Sequence, residues 1–486
     1  MEFVSKSSTE HSSFFNNDNV NVILALLLTF VLFIPYGVAP WGNGSIFYDA
    51  IIYMECGEWQ NQGMAMYRDM FDNKGPLWYF YQGFHQSVFG EMGAWVCDMV
   101  MTMITMLFVY ATSRLLLSSK QSLLVVILSI LYLNIFFINS GSFPQVFTMP
   151  FVAISVYMFV KRLFRNEVFS LLEVFMLGVM FAIVFLTMAN NVAPFIAFFF
   201  YCVTILAKTG QWKRLSFSLL LALLGIACVL IPLLLSMYKK GNLLDFYEMY
   251  IVFNLFGYSA DTTILQRLLL MAKISVVTFP MYILWLVFVI NTSNRKYCVW
   301  ISVLFAVTCA FDFLLLGNAH RHFLITCIPV FSLMIALTYN HIKKKKLLAV
   351  SLFAAIAVMS FYTFYKRCVS SFSNVDRSHT MAVANYINAH TNEGDFFYTY
   401  MVDQSVWRYV HCKPASRFFY QDGVMNYVKS FVDETEKDIL EKKPTYIYCS
   451  SKDNDRFIKM GYTKCSDCEF ANILILKDAF DNENLD

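Results

Sequence analysis

The chain has 486 residues, 58% of them hydrophobic and 15% charged, with a mean hydropathy of +0.53. Soluble domains carry about 25% charged residues, so no water-soluble core could hide this much apolar surface, and lipid must be the solvent for most of the chain. A net charge of +3 gives no footprint for nucleic acid, and the lack of a G-x-x-x-x-G-K-[ST] loop argues against an ATP-driven pump.

The first nineteen residues are polar and carry Lys6; they read as a cytoplasmic tail, 1–19. The apolar run 20–38 is longer than a signal-peptide core and shows no clear small-residue cleavage site, so it reads as a retained anchor helix. A spanning helix needs about 20 mostly apolar residues. Candidate spans start near Val20, Ala94, Ser122, Phe143, Phe169, Val192, Leu215, Ile264, Tyr297, Phe323 and Leu347. The expected fold is therefore a polytopic α-helical membrane protein of about eleven transmembrane helices within 20–367, followed by a soluble α/β domain.

Loop charge sets the orientation. With the N-terminus in the cytoplasm, alternate loops carry Arg114 and Lys120; Lys161, Arg162 and Arg165; Lys208, Lys213 and Arg214; Arg295 and Lys296; and the lysines 343–346. The opposite loops hold only Arg68, Lys74, Lys239, Lys240, Arg267 and Arg321. An odd span count then places the segment 368–486 outside, which in a bacterium is the periplasmic face of the inner membrane and in a eukaryote the lumen. In that segment a helix is expected at 381–390, strands at 396–401 and 445–450, a helix at 424–441 and a last strand at 473–477. It has no obvious catalytic set. Its Cys412, Cys449, Cys465 and Cys468, with His411, give only a weak metal pattern; a disulfide within the Cys465–Cys468 pair and free thiols are the alternatives.

Two outer loops are long, 39–93 and 238–263, and long ordered loops tend to carry function. The first contains Asp49 and Tyr53, then Gly63, Tyr67, Asp69, Asp72, Lys74, Pro76, Trp78 and Tyr79. Charges so near the end of a span need a partner or a job, although an interfacial loop in an aromatic belt is the plainer reading. A second cluster, His320, Arg321 and His322 with Pro329 beyond, offers donors suited to phosphate; an anchoring arginine beside two interfacial histidines is its plainer reading. Lys239 and Lys240 are either ordinary loop residues or attractors of an anionic headgroup.

The first loop resembles that of the GT-C glycosyltransferases, in the bacterial branch similar to protein O-mannosyltransferases and the lipid A aminoarabinose transferase. Those proteins carry an acid after the first span, then a pattern close to G-x(3)-Y-x-D-x(4)-K-x-P-L. Asp49, Gly63, Tyr67, Asp69, Lys74, Pro76 and Leu77 fit it. The His320-Arg321-His322 stretch with Pro329, the segment from Pro414 to Tyr420 and the Lys443–Ile447 strand resemble later landmarks of the same family. Many relatives have Asp-Glu where this chain has Asp49-Ala50, so a role for a second acid there does not transfer.

The resemblance implies an enzyme that uses a polyprenyl-phosphate sugar at the outer membrane face. An acceptor hydroxyl of a lipid, glycan or protein displaces the lipid phosphate with inversion. Asp49 is the expected general base and Asp69 the second, positioning acid. Lys74, Arg321 and His320, with His322 beside them, are the expected cations and donors for the leaving phosphate. Tyr53, Tyr67, Trp78, Tyr79, Lys239 and Lys240 are candidates to line the groove. No cofactor beyond the lipid-linked donor is expected; a metal is not demanded, although some distant relatives use one. The rivals are an O-antigen-type polymerase or ligase, a lipid-linked glycan flippase, and a scaffold. A flippase should show charges inside spans, for which Asp98, Glu173, Lys273 and Asp312 are the candidates.

Overall fold

The computed structural model describes residues 14–39, 41, 48–136, 141–257, 263–314, 321–342, 346–372, 378–420, 428–450, 452–465, 470 and 472–477. Apolar runs become helices: α1 (Phe14–Phe33), α2 (Tyr48–Asn61), α3 (Pro76–Phe89), α4 (Gly93–Arg114), α5 (Ser119–Phe136), α6 (Pro144–Arg165), α7 (Leu171–Phe185), α8 (Ala193–Lys208), α9 (Trp212–Lys240), the single turn α10 (Leu243–Phe246), α11 (Ile264–Asn291), α12 (Arg295–Leu314), α13 (Ile328–Ile342) and α14 (Lys346–Phe372). Their ends follow local chemistry. Proline opens α3 and α6 at the first turn, where its missing N–H costs nothing. Ser170 and Glu173 form a capping box on α7, as Thr263 and Gln266 do on α11. Asn166 ends α6 in the left-handed conformation.

Six stretches among the described residues are long and apolar enough to cross a membrane: Pro76–Arg114, Ser119–Phe136, Pro144–Arg165, Ala189–Lys208, Trp212–Lys240 and His322–His341. Asp18–Phe33, Leu171–Phe185 and Thr278–Asn291 are apolar but shorter. Each expected span start lies on or beside a helix, and six stretches among the described residues meet the length and composition of a crossing. Along α9, Leu220, Leu223, Ile231 and Leu235 are more than half exposed, a surface that only lipid can satisfy.

The chain folds into two compact units. One comprises Met1–Ser45, Glu91–Pro232 and Asp261–Ser373. At its core α13 is buried along most of its length, Leu333 through Ala336 being wholly enclosed. Asp98 of α4 is also fully buried there; its carboxylate accepts from the Ser142 amide at 3.0 Å and the Tyr36 hydroxyl at 3.4 Å. Glu173 caps α7 and pairs with Arg162 at 2.8 Å. These two flippase candidates thus hold structure, and the side chains of Lys273 and Asp312 lie outside the described set.

The other unit comprises Ile46–Gly90, Leu233–Ala260 and Asn374–Asp486, so the first outer loop and the C-terminal segment fold together. The C-terminal part contains α15 (Ser378–Ala389), α16 (Lys429–Lys442), α17 (Asn454–Ile458) and strands β1 (Phe396–Tyr400), β2 (Lys413–Pro414), β3 (Tyr446–Cys449), β4 (Tyr462–Lys464) and β5 (Ile473–Leu476). The sheet order is β2-β1-β3-β5-β4, with β1 parallel to β2 and β3, and β5 antiparallel to β3 and β4. Tyr398, Ile447, Leu474, Ile439 and Phe457 form its core. The α/β reading holds; β2 and β4, two and three residues long, are too short for the alternation that marks a strand in sequence.

Candidate functional site

The second unit holds the first-loop residues, and two glycines set its frame. A Cβ on Gly57 of α2 would lie 2.6 Å from the Gly83 amide of α3, and one on Gly83 would lie 2.9 Å from the Gly57 carbonyl, so the two helices touch backbone to backbone. Asn61 Nδ2 donates to the Gly83 carbonyl at 2.9 Å and Gln86 Nε2 to the Met54 carbonyl at 2.7 Å. This crossing brings the buried Tyr53 ring edge-on to Trp78 at 5.7 Å. Asp49 lies in the first turn of α2, half-buried, where the helix dipole favours a negative charge. It stands four residues before Tyr53 and hence on the same face. Lys74 Nζ sits 5.7 Å from the centre of the Tyr53 ring.

The 63–75 segment explains the spacing of the motif. Gly63 takes φ +98° to turn the chain out of α2, and Tyr67 takes φ +72°. That conformation costs a non-glycine residue about 1–2 kcal/mol, offset by burial and hydrogen bonds. The Tyr67 hydroxyl donates to the Lys74 carbonyl at 2.6 Å and its amide to the Met70 carbonyl at 2.7 Å. Asp69 accepts from the Ala65 amide at 2.7 Å and from Arg68 at 2.8 and 2.9 Å. Burial pushes the Asp69 carboxyl up, but the Arg68 fork and the Ala65 amide outweigh it and hold the group below the usual carboxylate range. Asp69 is therefore a stapled turn residue. Gly75 is extended and Pro76 starts α3, which aims Lys74 back at α2.

Asp72 is the buried acid of the loop. It accepts from Tyr79 at 2.5 Å and Tyr420 at 2.9 Å, with Lys74 Nζ 4.0 Å away. Lys74 also donates to the Asn73 side chain. The C-terminal part supplies more. The Arg417 carbonyl accepts from the Phe71 amide at 2.8 Å, and its guanidinium donates to the Tyr67 carbonyl at 3.0 Å, Asp245 at 3.2 Å and Glu434 at 2.7 Å. Phe71 packs against Phe418, Phe431 and Phe253. Asn242 and Asn254 each donate at 2.8 Å to loop carbonyls, those of Met66 and Asn73. Lys240 offers its carbonyl to Arg68 at 2.6 Å; the side chains of Lys239 and Lys240 are exposed. Glu55 of α2 lies beside Arg408. Burial pushes it up to about 8 despite the opposing pull of that arginine.

The structure thus brings together Tyr53, Lys74, Trp78, Tyr79 and the face of α2 that carries Asp49. Sequence reasoning missed Asp72 as the hub, Arg417 and Tyr420 as its long-range supports, and Glu55. Arg417 and Tyr420 fall inside a family-like segment, but nothing local says what they touch. The phosphate cluster belongs to the other unit. His320 lies outside the described residues, as does the side chain of Arg321, whose backbone opens a short helix, Arg321–Cys327. His322 is buried, its ring stacked on Phe143 at 4.6 Å and edge-on to Phe323 at 4.6 Å. Among the described residues no group of three His, Cys, Asp or Glu side chains forms a metal site. Cys465 Sγ lies 3.1 Å from the Tyr386 hydroxyl, and Cys468 is outside the described residues.

No protein-family model matches this sequence, and no curated protein does. Solved structures do match. ArnT, the lipid A aminoarabinose transferase, from Cupriavidus metallidurans is similar in a structure bound to undecaprenyl phosphate, with TM-score 0.63, 11% identity, and 93% of this chain and 97% of that one covered. Its apo structure matches with TM-score 0.64, 10% identity and coverage of 95% and 98%. The archaeal oligosaccharyltransferase AglB from Archaeoglobus fulgidus, in complex with an inhibitory peptide and a dolichol-phosphate, matches with TM-score 0.52, 11% identity and coverage of 91% and 70%. This chain therefore shares its fold with these solved structures.

Proposed function

We propose that this protein is a membrane glycosyltransferase that moves a sugar from a polyprenyl phosphate to an acceptor hydroxyl at the outer face of a bacterial inner membrane. The observation that carries the reading is the Lys74 ammonium set over Tyr53, one helical turn from Asp49 on the same face of α2. The likeness of the whole chain to a transferase structure holding undecaprenyl phosphate supports the lipid-linked donor.

Asp49 takes the proton from the acceptor hydroxyl as its oxygen attacks the anomeric carbon. The bond from that carbon to the phosphate oxygen breaks, inverting the configuration, and the lipid phosphate leaves with the electron pair. A positioned base contributes about 10²–10⁴-fold. Lys74 stabilises the charge growing on the phosphate, and Asp72 and Asn73 orient its ammonium. Asp69 acts at one remove, by fixing the turn that aims Lys74. Arg321 and His320 are further phosphate-binding proposals, and Tyr53, Trp78 and Tyr79 shape the groove.

The test is a reconstituted assay with purified protein and a panel of polyprenyl-phosphate sugars, followed as release of free polyprenyl phosphate. Turnover with at least one donor, lost in Lys74→Met, is expected. Lipid transbilayer movement with no transfer from any donor would favour the flippase.

A further inference from the structure

One apolar cavity of the first unit is not used by this mechanism. It lies between α7, α8 and α9, has a volume of about 450 Å³, and is lined by residues such as Phe181, Phe195, Phe199, Val203 and Leu223. Ser218 and Cys202 supply its polar side chains. That volume is within the range of about 300–1,000 Å³ typical of small-molecule sites. The cavity is built in. A Cβ on Gly178 would lie 2.2 Å from the Ala222 carbonyl oxygen, and one on Gly225 2.2 Å from the Phe175 carbonyl oxygen, so α7 and α9 are locked together along one wall. Phe199 and Leu223, each half exposed or more, leave the cavity open sideways. In a bilayer such a space fills with hydrocarbon, because an empty one forfeits the dispersion contacts of its lining.

One end of the cavity is basic. Phe169 and Leu215 line it there, and the Phe169 carbonyl accepts from Arg214 at 3.2 Å. Lys208 ends α8 and Lys213 lies in the first turn of α9; both are exposed, as is Arg214. The neighbouring acids Glu167 and Glu173 are both paired with Arg162. Among the described residues, Lys208, Lys213 and Arg214 form no ion pair.

We infer that this groove binds an anionic phospholipid, with an acyl chain in the cavity and the phosphate at Lys208, Lys213 and Arg214. The charge, rather than the chain, supplies the selectivity: an acyl chain leaves one apolar surrounding for another, whereas each Lys or Arg at an anionic headgroup adds attraction. The basic end is the one that the charge bias turns to the cytoplasm. The sugar donor is used at the opposite face, so the occupant is a phospholipid of the bulk membrane.

The experiment is native mass spectrometry of the full chain released from micelles holding equal phosphatidylglycerol and phosphatidylcholine, with undecaprenyl phosphate added in a second series. Wild type should retain phosphatidylglycerol roughly tenfold over phosphatidylcholine. Lys208→Gln/Lys213→Gln should level the two, and Val203→Phe, which fills the cavity, should lose the bound lipid. Equal retention of both lipids by wild type, an unchanged preference in the double lysine variant, or displacement of phosphatidylglycerol by undecaprenyl phosphate would overturn the assignment. Should Val203→Phe fail to fold, the surface lysine variant decides alone.

Discussion

Tyr420 donates its hydroxyl to the buried Asp72 carboxylate at 2.9 Å, across 348 residues of sequence. With Tyr79 on the other oxygen at 2.5 Å, this ties the C-terminal part of the chain to the loop that holds Lys74. The C-terminal part therefore helps to hold the loop that carries Lys74.

Tyr420→Phe removes one donor from a buried charge. Hydrogen bonds to charged groups are worth about 1.5–3 kcal/mol, so the variant should lose stability of that order in detergent. Tyr79→Phe should cost a similar amount. Because both act on one carboxylate, the double variant should deviate from additivity. A strictly additive double-mutant cycle would mean that the two hydroxyls do not share Asp72.

Arg417→Ala takes away the guanidinium that bridges the Tyr67 carbonyl, Asp245 and Glu434. Hydrogen exchange should rise in 63–75 more than in the sheet, with a stability loss of about 1.5–3 kcal/mol. Exchange in 63–75 at the wild-type rate would count against the role given to Arg417.

Glu55 makes stability depend on pH. Its carboxyl is raised from 4.5 to about 8 by burial, so the folded state holds a proton that the unfolded state has released between these values. Stability then falls as pH rises from about 4.5 to 8, by at most about 1.4 kcal/mol per pH unit. Glu55→Gln should flatten this slope and gain most at pH 8. Thermal unfolding at pH 5, 6.5 and 8 reads it directly; parallel curves for both proteins would refute the burial of this charge.

Gly178→Ala sets a methyl 2.2 Å from the Ala222 carbonyl oxygen, and backbone there cannot give way cheaply. Overpacking of this kind costs about 1–3 kcal/mol. Gly394→Ala, with nothing within 4 Å of its Cβ, is the control and should stay within about 0.5 kcal/mol. Equal stability of the two variants would contradict the tight α7–α9 crossing.

Much of this was legible in the sequence because it is written locally. Apolar runs of spanning length marked the helices, and short apolar runs marked β1, β3 and β5. The loop motif was visible as a spacing, and its reason is now physical: Gly63 turns, Tyr67 staples the Lys74 carbonyl, Asp69 caps the Ala65 amide, and Pro76 starts α3. What stayed hidden was non-local. Asp72 lies two residues from Lys74 in sequence, yet its closest contacts are the hydroxyls of Tyr79 and Tyr420. Asp98 looked like a transport charge, whereas it caps the Ser142 amide. Periodicity says that a face is buried, and it does not say which distant residue will cover it.

The most direct test of the proposed chemistry is transfer by Asp49→Asn, compared with wild type on whichever polyprenyl-phosphate sugar is turned over. The substitution keeps the shape of the side chain at the start of α2 and removes the base. A fall in turnover of about 10²–10⁴-fold, with the protein folded and the donor still bound, is the predicted result. Transfer by Asp49→Asn at the wild-type rate would contradict it.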